Sequence, residues 1–247
     1  MDRMLYIAMS GAKQTMRSQT VNAHNLANAN TAGFRADMEA FSGRSLSGSG
    51  WPTRTYTSER STGIDFTPGS VVSTGRELDV AIEDYGFIAV QTPDGGEAYT
   101  RAGDLRIASG GIVTTGAGYP VKGNNGIIAL PPAEKIELGA DGTFTMLPLG
   151  QSADALAIVD RIKLVNPPLE EMVKGKDGLL RLRDNSVAPP DANVRLLSGH
   201  LESSNVNSVD SMIKMITLSR QFEMQIKMMK TTEDNDKASA ALLRLQG

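Results

Sequence analysis

LANANTAGFR spans residues 26–35, and LESSNVNSVD spans residues 201–210. Both stretches are small, polar and turn-prone. Each borders a long segment with a helical apolar stripe. Together the two borders decide the fold, because they place a helix at each end of the chain and leave everything between them as an insertion.

Working outward from the first border, residues 3–28 carry Leu5, Met9, Ala12, Met16, Ala23 and Leu26 at alternating threes and fours, with Gln19 in the gap. This heptad-like pattern predicts a helix. The stripe is thin and Gly11 weakens it further, so the helix needs a partner to be stable in water. Beyond the second border, residues 205–245 place Val209, Met212, Ile213, Ile216, Phe222, Ile226 and Met229 on one side. Asn207 or Ser208 supplies the N-cap. Forty helical residues would span about 60 Å, more than a small domain needs. The two stripes predict an antiparallel coiled pair that also packs against other copies. Asn25, Asn28 and Asn30 are placed to satisfy backbone groups where the first helix ends, Gly33 to allow a left-handed turn, and Phe34 to anchor the chain beyond it.

Between the helices lie two kinds of sequence. Residues 36–75 are rich in Ser, Thr and Gly, show no lasting period, and read as an extended connecting loop. Trp51, the only tryptophan, sits mid-loop, where it tucks onto its own chain or contacts another. Residues 76–201 alternate short apolar runs with turns. LDVAI, GFIAVQTPDGGEAYTR, GGIVTTGAGYPVKG and KIELGADGTFTML supply strands and hairpin signals, and ALAIVDRIKLV reads as one longer strand. No stretch there reads as a crossover helix. The expected class is α+β, with long N- and C-terminal helices forming a coiled pair and an inserted irregular antiparallel β domain. The expected organisation is 1–35 and 202–247 as two halves of a helical core, 36–75 as connection and 76–201 as β domain.

Composition narrows the function. The chain has 247 residues, with 28 acidic and 25 basic side chains for a net charge of −3, which gives no general attraction for nucleic acid. No run reaches the length of a transmembrane span. With no cysteine, disulfides and thiolate chemistry are excluded. MDRMLYIAMSGAKQTMRSQT lacks the continuous apolar core of a cleavable signal peptide. His24 and His200 lie far apart with no ligand spacing around them, so neither a metal site nor a cofactor is expected. TTGAGYPVKGNNG is glycine-rich but lies between strands, without the helix N-terminus that holds phosphate. Ser10 lies within a helix, unlike a strand-to-helix nucleophile. Asp79, Glu83, Asp84, Asp94, Glu97, Asp104 and Asp141 are the acidic candidates of the β region, and no pair stands out as general acid and base. Arg101 is placed to pair with Asp104 across a tight turn. No catalytic residue is assigned.

LANANTAGFR resembles the LANxxTxGF signature of bacterial flagellar rod and hook axial proteins. TGRELDVAIEDYGFIAV, PDGGEAYTRAGDLRI, GIVTTGAGYPVKG and GHLESSNVNSVDSMIKMITLSRQFEMQIKMMKT extend the likeness over nearly the whole chain. MDRMLYIAMSGAKQ resembles the proximal rod branch rather than the distal one. EDYGFIAV departs from the family's xGxGFFxV pattern, with Asp84 replacing a glycine and Ile88 an aromatic. The resemblance implies a structural, non-enzymatic subunit of the basal-body rod in the periplasm. It implies export by the flagellar type III apparatus, helical polymerisation with copies of itself and with other proximal and distal rod subunits, and transmission of torque to the hook. The assembly residues it singles out, with the two stripes, are Leu5, Met9, Met16, Leu26, Asn28, Thr31, Gly33, Phe34, Asn205, Asn207, Val209, Ile213, Ile216, Phe222 and Ile226. Two rival readings are a peptidoglycan-cleaving enzyme, which would need a cleft with facing carboxylates, and a β-type adhesion or scaffold module. The latter would have a helix pair with no exposed apolar stripe.

Overall fold

The computed structural model describes residues 3–45, 55–148, 150 and 157–244; Trp51 lies outside them. The fold is α+β, with a helix near each end and many short antiparallel strands between. The chain forms two compact units, one of residues 1–27, 37–65 and 207–247 and one of residues 28–36 and 66–206.

The first unit is built on two helices, α1 (Arg3–Ala27, 25 residues) and α2 (Ser208–Arg244, 37 residues). They run antiparallel. Asn22 Nδ2 donates to the Ser211 carbonyl at 2.7 Å, and Gly11 faces the Gln225 side chain. At about 1.5 Å per residue, α2 is roughly 18 Å longer than α1. A hairpin packs beside α1. Its strands β1 (Asp37–Ser45) and β2 (Thr55–Ile64) pair antiparallel, with a register shift between Ala40 and Phe41.

The hairpin corrects the expectation of a loop over residues 36–75. Its sequence lacks apolar alternation, so no strand period is visible. The ladder is instead tied to α1 by polar groups. The Asn25 side chain mimics a strand, with Nδ2 donating to the Asp37 carbonyl and Oδ1 accepting from the Asp37 N–H, both at 2.9 Å. Ser18 Oγ adds a bond to Glu39 Oε2 at 3.1 Å. The rest of the stretch belongs to the second unit, where Val71–Ser73 pairs with His200–Glu202.

The second unit is a set of small sheets around one core. Its largest sheet has five strands in the spatial order Leu164–Val165, Phe87–Gln91, Glu97–Thr100, Leu180–Leu182, Met172–Lys174. A three-stranded sheet joins Ala133–Leu138, Thr143–Pro148 and Ala157–Arg161. Val80, Ile88, Val90, Leu105, Val113, Ile128, Phe144 and Ile162 are buried together at the centre. Of the longer strand expected in ALAIVDRIKLV, residues 155–156 lie outside the described residues, and the rest is two strands. The chain leaves the three-stranded sheet after Arg161, buries Ile162, and joins the five-stranded sheet at Leu164. A buried polar knot fixes one side of this core. Glu97, almost fully buried, accepts from Lys122 Nζ at 2.8 Å and Lys163 Nζ at 2.7 Å. Burial opposes its ionisation, but the two ammonium groups prevail and hold its pKa below the usual carboxylate value. Tyr99, whose hydroxyl donates to Glu97 and accepts from the Ala188 N–H, is pushed up to about 12 by burial.

Candidate assembly surfaces

The helix pair has an inner face of small and polar residues. On α1, Ala8, Ala12, Thr15 and Asn22 are buried, and half-buried Leu5, Gln19 and Leu26 complete the three-four spacing. On α2, Ser211, Leu218 and Thr232 are buried, with Met215, Phe222, Gln225 and Met229 half-buried between them. The expected stripe shares Leu5, Ala12, Gln19 and Leu26 with this face but differs at every alternate position. Met9 (57 % exposed), Met16 (60 %) and Ala23 lie outside, one residue along from Ala8, Thr15 and Asn22. The physical reason is distance. A Cβ on Gly11 would already stand 3.0 Å from the Gln225 side chain, so the facing positions take small side chains. The polar ones are satisfied in place, Thr15 by the Gly11 carbonyl and Asn22 by that of Ser211.

The same shift applies to α2. Phe222 and Met229 lie on the inner side as expected, but Val209 (62 %), Met212, Ile213 (59 %), Ile216 (56 %) and Ile226 are exposed. Val209, Met212, Ile213 and Ile216 recur at i, i+3, i+4 and i+7, so they form one continuous strip over two turns. This unit therefore carries an exposed apolar strip besides its mixed inner face of small, polar and apolar residues. The N-cap of α2 is Asn207. Its Oδ1 accepts from Val209 N–H at 2.9 Å and Asp210 N–H at 3.3 Å.

The remaining candidates meet in the second unit, at a neck where residues 28–36, 66–74 and 199–206 run together. Asn28 and Thr31 close a turn through Thr31 N–H to the Asn28 carbonyl at 3.1 Å. Gly33 has φ +66° and donates to the Glu202 carbonyl at 2.8 Å. Phe34 is buried within its own chain, with Lys174 Nζ 3.8 Å above its ring. Asn205 links all three segments. Its N–H donates to the Phe34 carbonyl, its Oδ1 accepts from Ala36 N–H, and its Nδ2 donates to the Thr67 carbonyl.

At the centre of the neck is a buried ion cluster that sequence analysis missed. Glu202 Oε1 accepts from Arg35 Nη2 at 2.5 Å and from Gly69 N–H at 2.9 Å, and Oε2 accepts from Arg101 Nη1 at 3.0 Å. Arg101 does not pair with Asp104, which instead lies 3.9 Å from Arg106. Burial draws the Arg101 pKa down from the usual arginine value; Glu202 opposes this and neighbouring Arg35 reinforces it. The partners are far apart in sequence, so no local spacing could reveal them. The one available signal was the presence of Arg35 and Glu202 in the two border motifs.

The acidic candidates are dispersed: Asp79 pairs with Arg76, Glu97 with Lys122 and Lys163, and Asp104 lies near Arg106. Glu83, Asp84 and Asp191 line an open depression of about 410 Å³. The carboxyl groups of Asp141, Asp177, Asp184 and Glu233 are held below the usual range by hydrogen bonds from Thr143, Arg181, Ser186 and Lys237. His24 bonds to Asp37 at 2.9 Å, and His200 Nδ1 lies 2.8 Å from the Ser198 carbonyl. Among the described residues no three His, Cys, Asp or Glu side chains converge as metal ligands, and no helix is long and apolar enough to cross a membrane. Asp84 has φ +57°, a conformation that Asp tolerates better than most residues.

Three family models match along the chain: a flagellar basal-body rod protein model over residues 5–35, a FlgE/F/G hook-protein D1 domain over residues 81–146, and a FlgEFG C-terminal model over residues 197–242. The chain is 42 % identical to the flagellar basal-body rod protein FlgF of Escherichia coli, covering 99 % of this chain and 100 % of that one. It is 39 % identical to FlgF of Salmonella typhimurium, again over 99 % and 100 %. To the rod protein FlgG of Bacillus subtilis it is 30 % identical over 94 % and 96 %. Matched from end to end, with both border motifs inside the matched models, the chain belongs to the structural family of flagellar basal-body rod proteins, alongside its FlgF members.

Proposed function

We propose that this protein is a subunit of the proximal rod, exported by the flagellar type III system, that polymerises helically in the periplasm and transmits torque toward the hook. The observation that carries the reading is the outer apolar strip of the helix pair. A soluble monomer gains nothing from Val209, Met212, Ile213 and Ile216 in one exposed row. Partners of the same construction would cover it. In this reading Leu5, Leu26 and Phe222 hold the pair together, and Met9, Met16, Val209, Ile213, Ile216 and Ile226 face neighbouring copies and other rod subunits. Methionine suits such a surface because its flexible side chain fits unlike partners. Asn28, Thr31, Gly33, Phe34, Asn205 and Asn207 serve assembly indirectly, by fixing the neck and the start of α2.

The test replaces both exposed isoleucines, Ile213→Asp with Ile216→Asp. The purified variant should keep the helical circular dichroism and melting temperature of the parent. Cells carrying it should still secrete the protein but should yield no basal bodies with complete rods. Complete rods containing the double variant would overturn the proposal.

A further inference from the structure

The chain has twelve methionines and no cysteine, so every oxidisable sulfur is a thioether. Their placement is uneven. Among the described residues seven methionines are exposed, and all seven belong to the first unit. The second unit holds only Met146, which is half-buried, and Met172, which is 5 % exposed. Within the helix pair, Met215 and Met229 are half-buried. Met212 is 54 % exposed and lies in the outer strip with Val209, Ile213 and Ile216. Its side chain is open to solvent in the monomer, and its companions on the strip are all aliphatic.

We propose that Met212 is an oxidation-sensitive position that governs incorporation, with a peroxide as the oxidant; this rests on the reading that neighbouring subunits cover its strip. One peroxide oxygen adds to a lone pair of the thioether sulfur. An S–O bond forms, the O–O bond breaks, the sulfur loses two electrons, and the remainder of the peroxide leaves as water. The product is a sulfoxide, a polar group with a strong hydrogen-bond acceptor. On the free subunit it stays hydrated and leaves the fold untouched. Under a neighbour it must be buried beside Val209, Ile213 and Ile216, whose side chains offer no donor, so its hydration is lost without replacement. Reduction restores the thioether, so the block is reversible.

The experiment begins with purified full-length protein exposed to dilute hydrogen peroxide, its peptides then mapped by mass. Met212 should gain oxygen roughly tenfold faster than buried Met172. The oxidised protein should keep the circular dichroism and melting temperature of the parent. Met212→Gln places a polar side chain of similar length at the position with no oxidant present, and Met212→Leu removes the sulfur but keeps the surface apolar. In cells both variants should be secreted. The Leu variant should give complete rods, and the Gln variant roughly a tenth as many or fewer. The double change Ile213→Asp with Ile216→Asp is run alongside. Rods lost with that pair but retained with Met212→Gln would overturn the oxidation proposal alone; rods retained with both would overturn the assembly reading beneath it. Oxidation of Met212 no faster than that of Met172, or a Leu variant as defective as the Gln variant, would also overturn the proposal.

Discussion

Replacing Gly33 by alanine and by valine probes the neck most directly. Any Cβ at this position would stand 2.2 Å from the Arg101 carbonyl carbon, 2.3 Å from its oxygen and 2.4 Å from the Ala102 nitrogen. All three are backbone atoms, so no side chain can turn aside. The φ of +66° adds a second cost. A non-glycine residue in that region loses about 1–2 kcal/mol, and more when β-branched. Overpacking against rigid neighbours adds about 1–3 kcal/mol. The sum, about 2–5 kcal/mol, is a large part of the stability of an ordinary domain. Urea unfolding followed by far-UV circular dichroism measures it as a lower midpoint at unchanged slope. Alanine should already carry most of the loss, because the clash begins at Cβ, and valine should be worse. Hydrogen exchange at the Gly33 amide, which donates to Glu202, should accelerate in both variants. An alanine variant within about 0.5 kcal/mol of the parent would refute the reasoning, since neither the contact nor the dihedral could then be as described.

The buried ion cluster gives a second outcome. Glu202→Gln should cost about 3–5 kcal/mol by leaving two buried guanidinium groups without a counter-charge, read as a fall in melting temperature. For the helix pair, Ala12→Leu should destabilise the inner face by about 1–3 kcal/mol, whereas Met16→Leu on the outer face should leave the monomer's melting temperature unchanged. Asn207→Ala removes the cap of α2 and should cost about 1 kcal/mol in urea unfolding. Glu97, whose folded pKa is depressed, stabilises the fold fully above its ordinary value of 4.5 and progressively less as pH falls through the lower folded value. Stability measured from pH 6 to pH 3 should therefore fall less steeply in Glu97→Gln than in the parent.

Much of the architecture was legible because helices announce themselves locally. The three-four spacing placed α1 and α2, and the Pro-Asp-Gly-Gly and Asp-Gly turns placed the hairpins around Asp94 and Asp141. The phase of the stripes was harder. A stripe of methionines and isoleucines looks like an inner face by hydrophobicity, yet Ala8, Thr15 and Asn22 took the inner positions because close approach favours small volume and paired polar groups. The hairpin of residues 37–64 was hidden for a related reason. Its tethers are amide and hydroxyl groups such as Asn25 and Ser18, which carry no period. The Arg35–Glu202–Arg101 cluster was invisible because its members come together only through the folded neck.

The neck also has a topological consequence. Arg35 and Glu202 are 167 positions apart, and their bond turns the chain between them into a non-covalent ring. Closing a ring of that size costs about 4–5 kcal/mol of chain entropy, incurred once. Every further tie at the same place, from Gly33, Asn205 and Gly69, comes without that cost. Arg101, which follows strand Glu97–Thr100, ties the five-stranded sheet to the same point. A pull on one end passes across the neck to the other over a few residues, bypassing the long path through the strands.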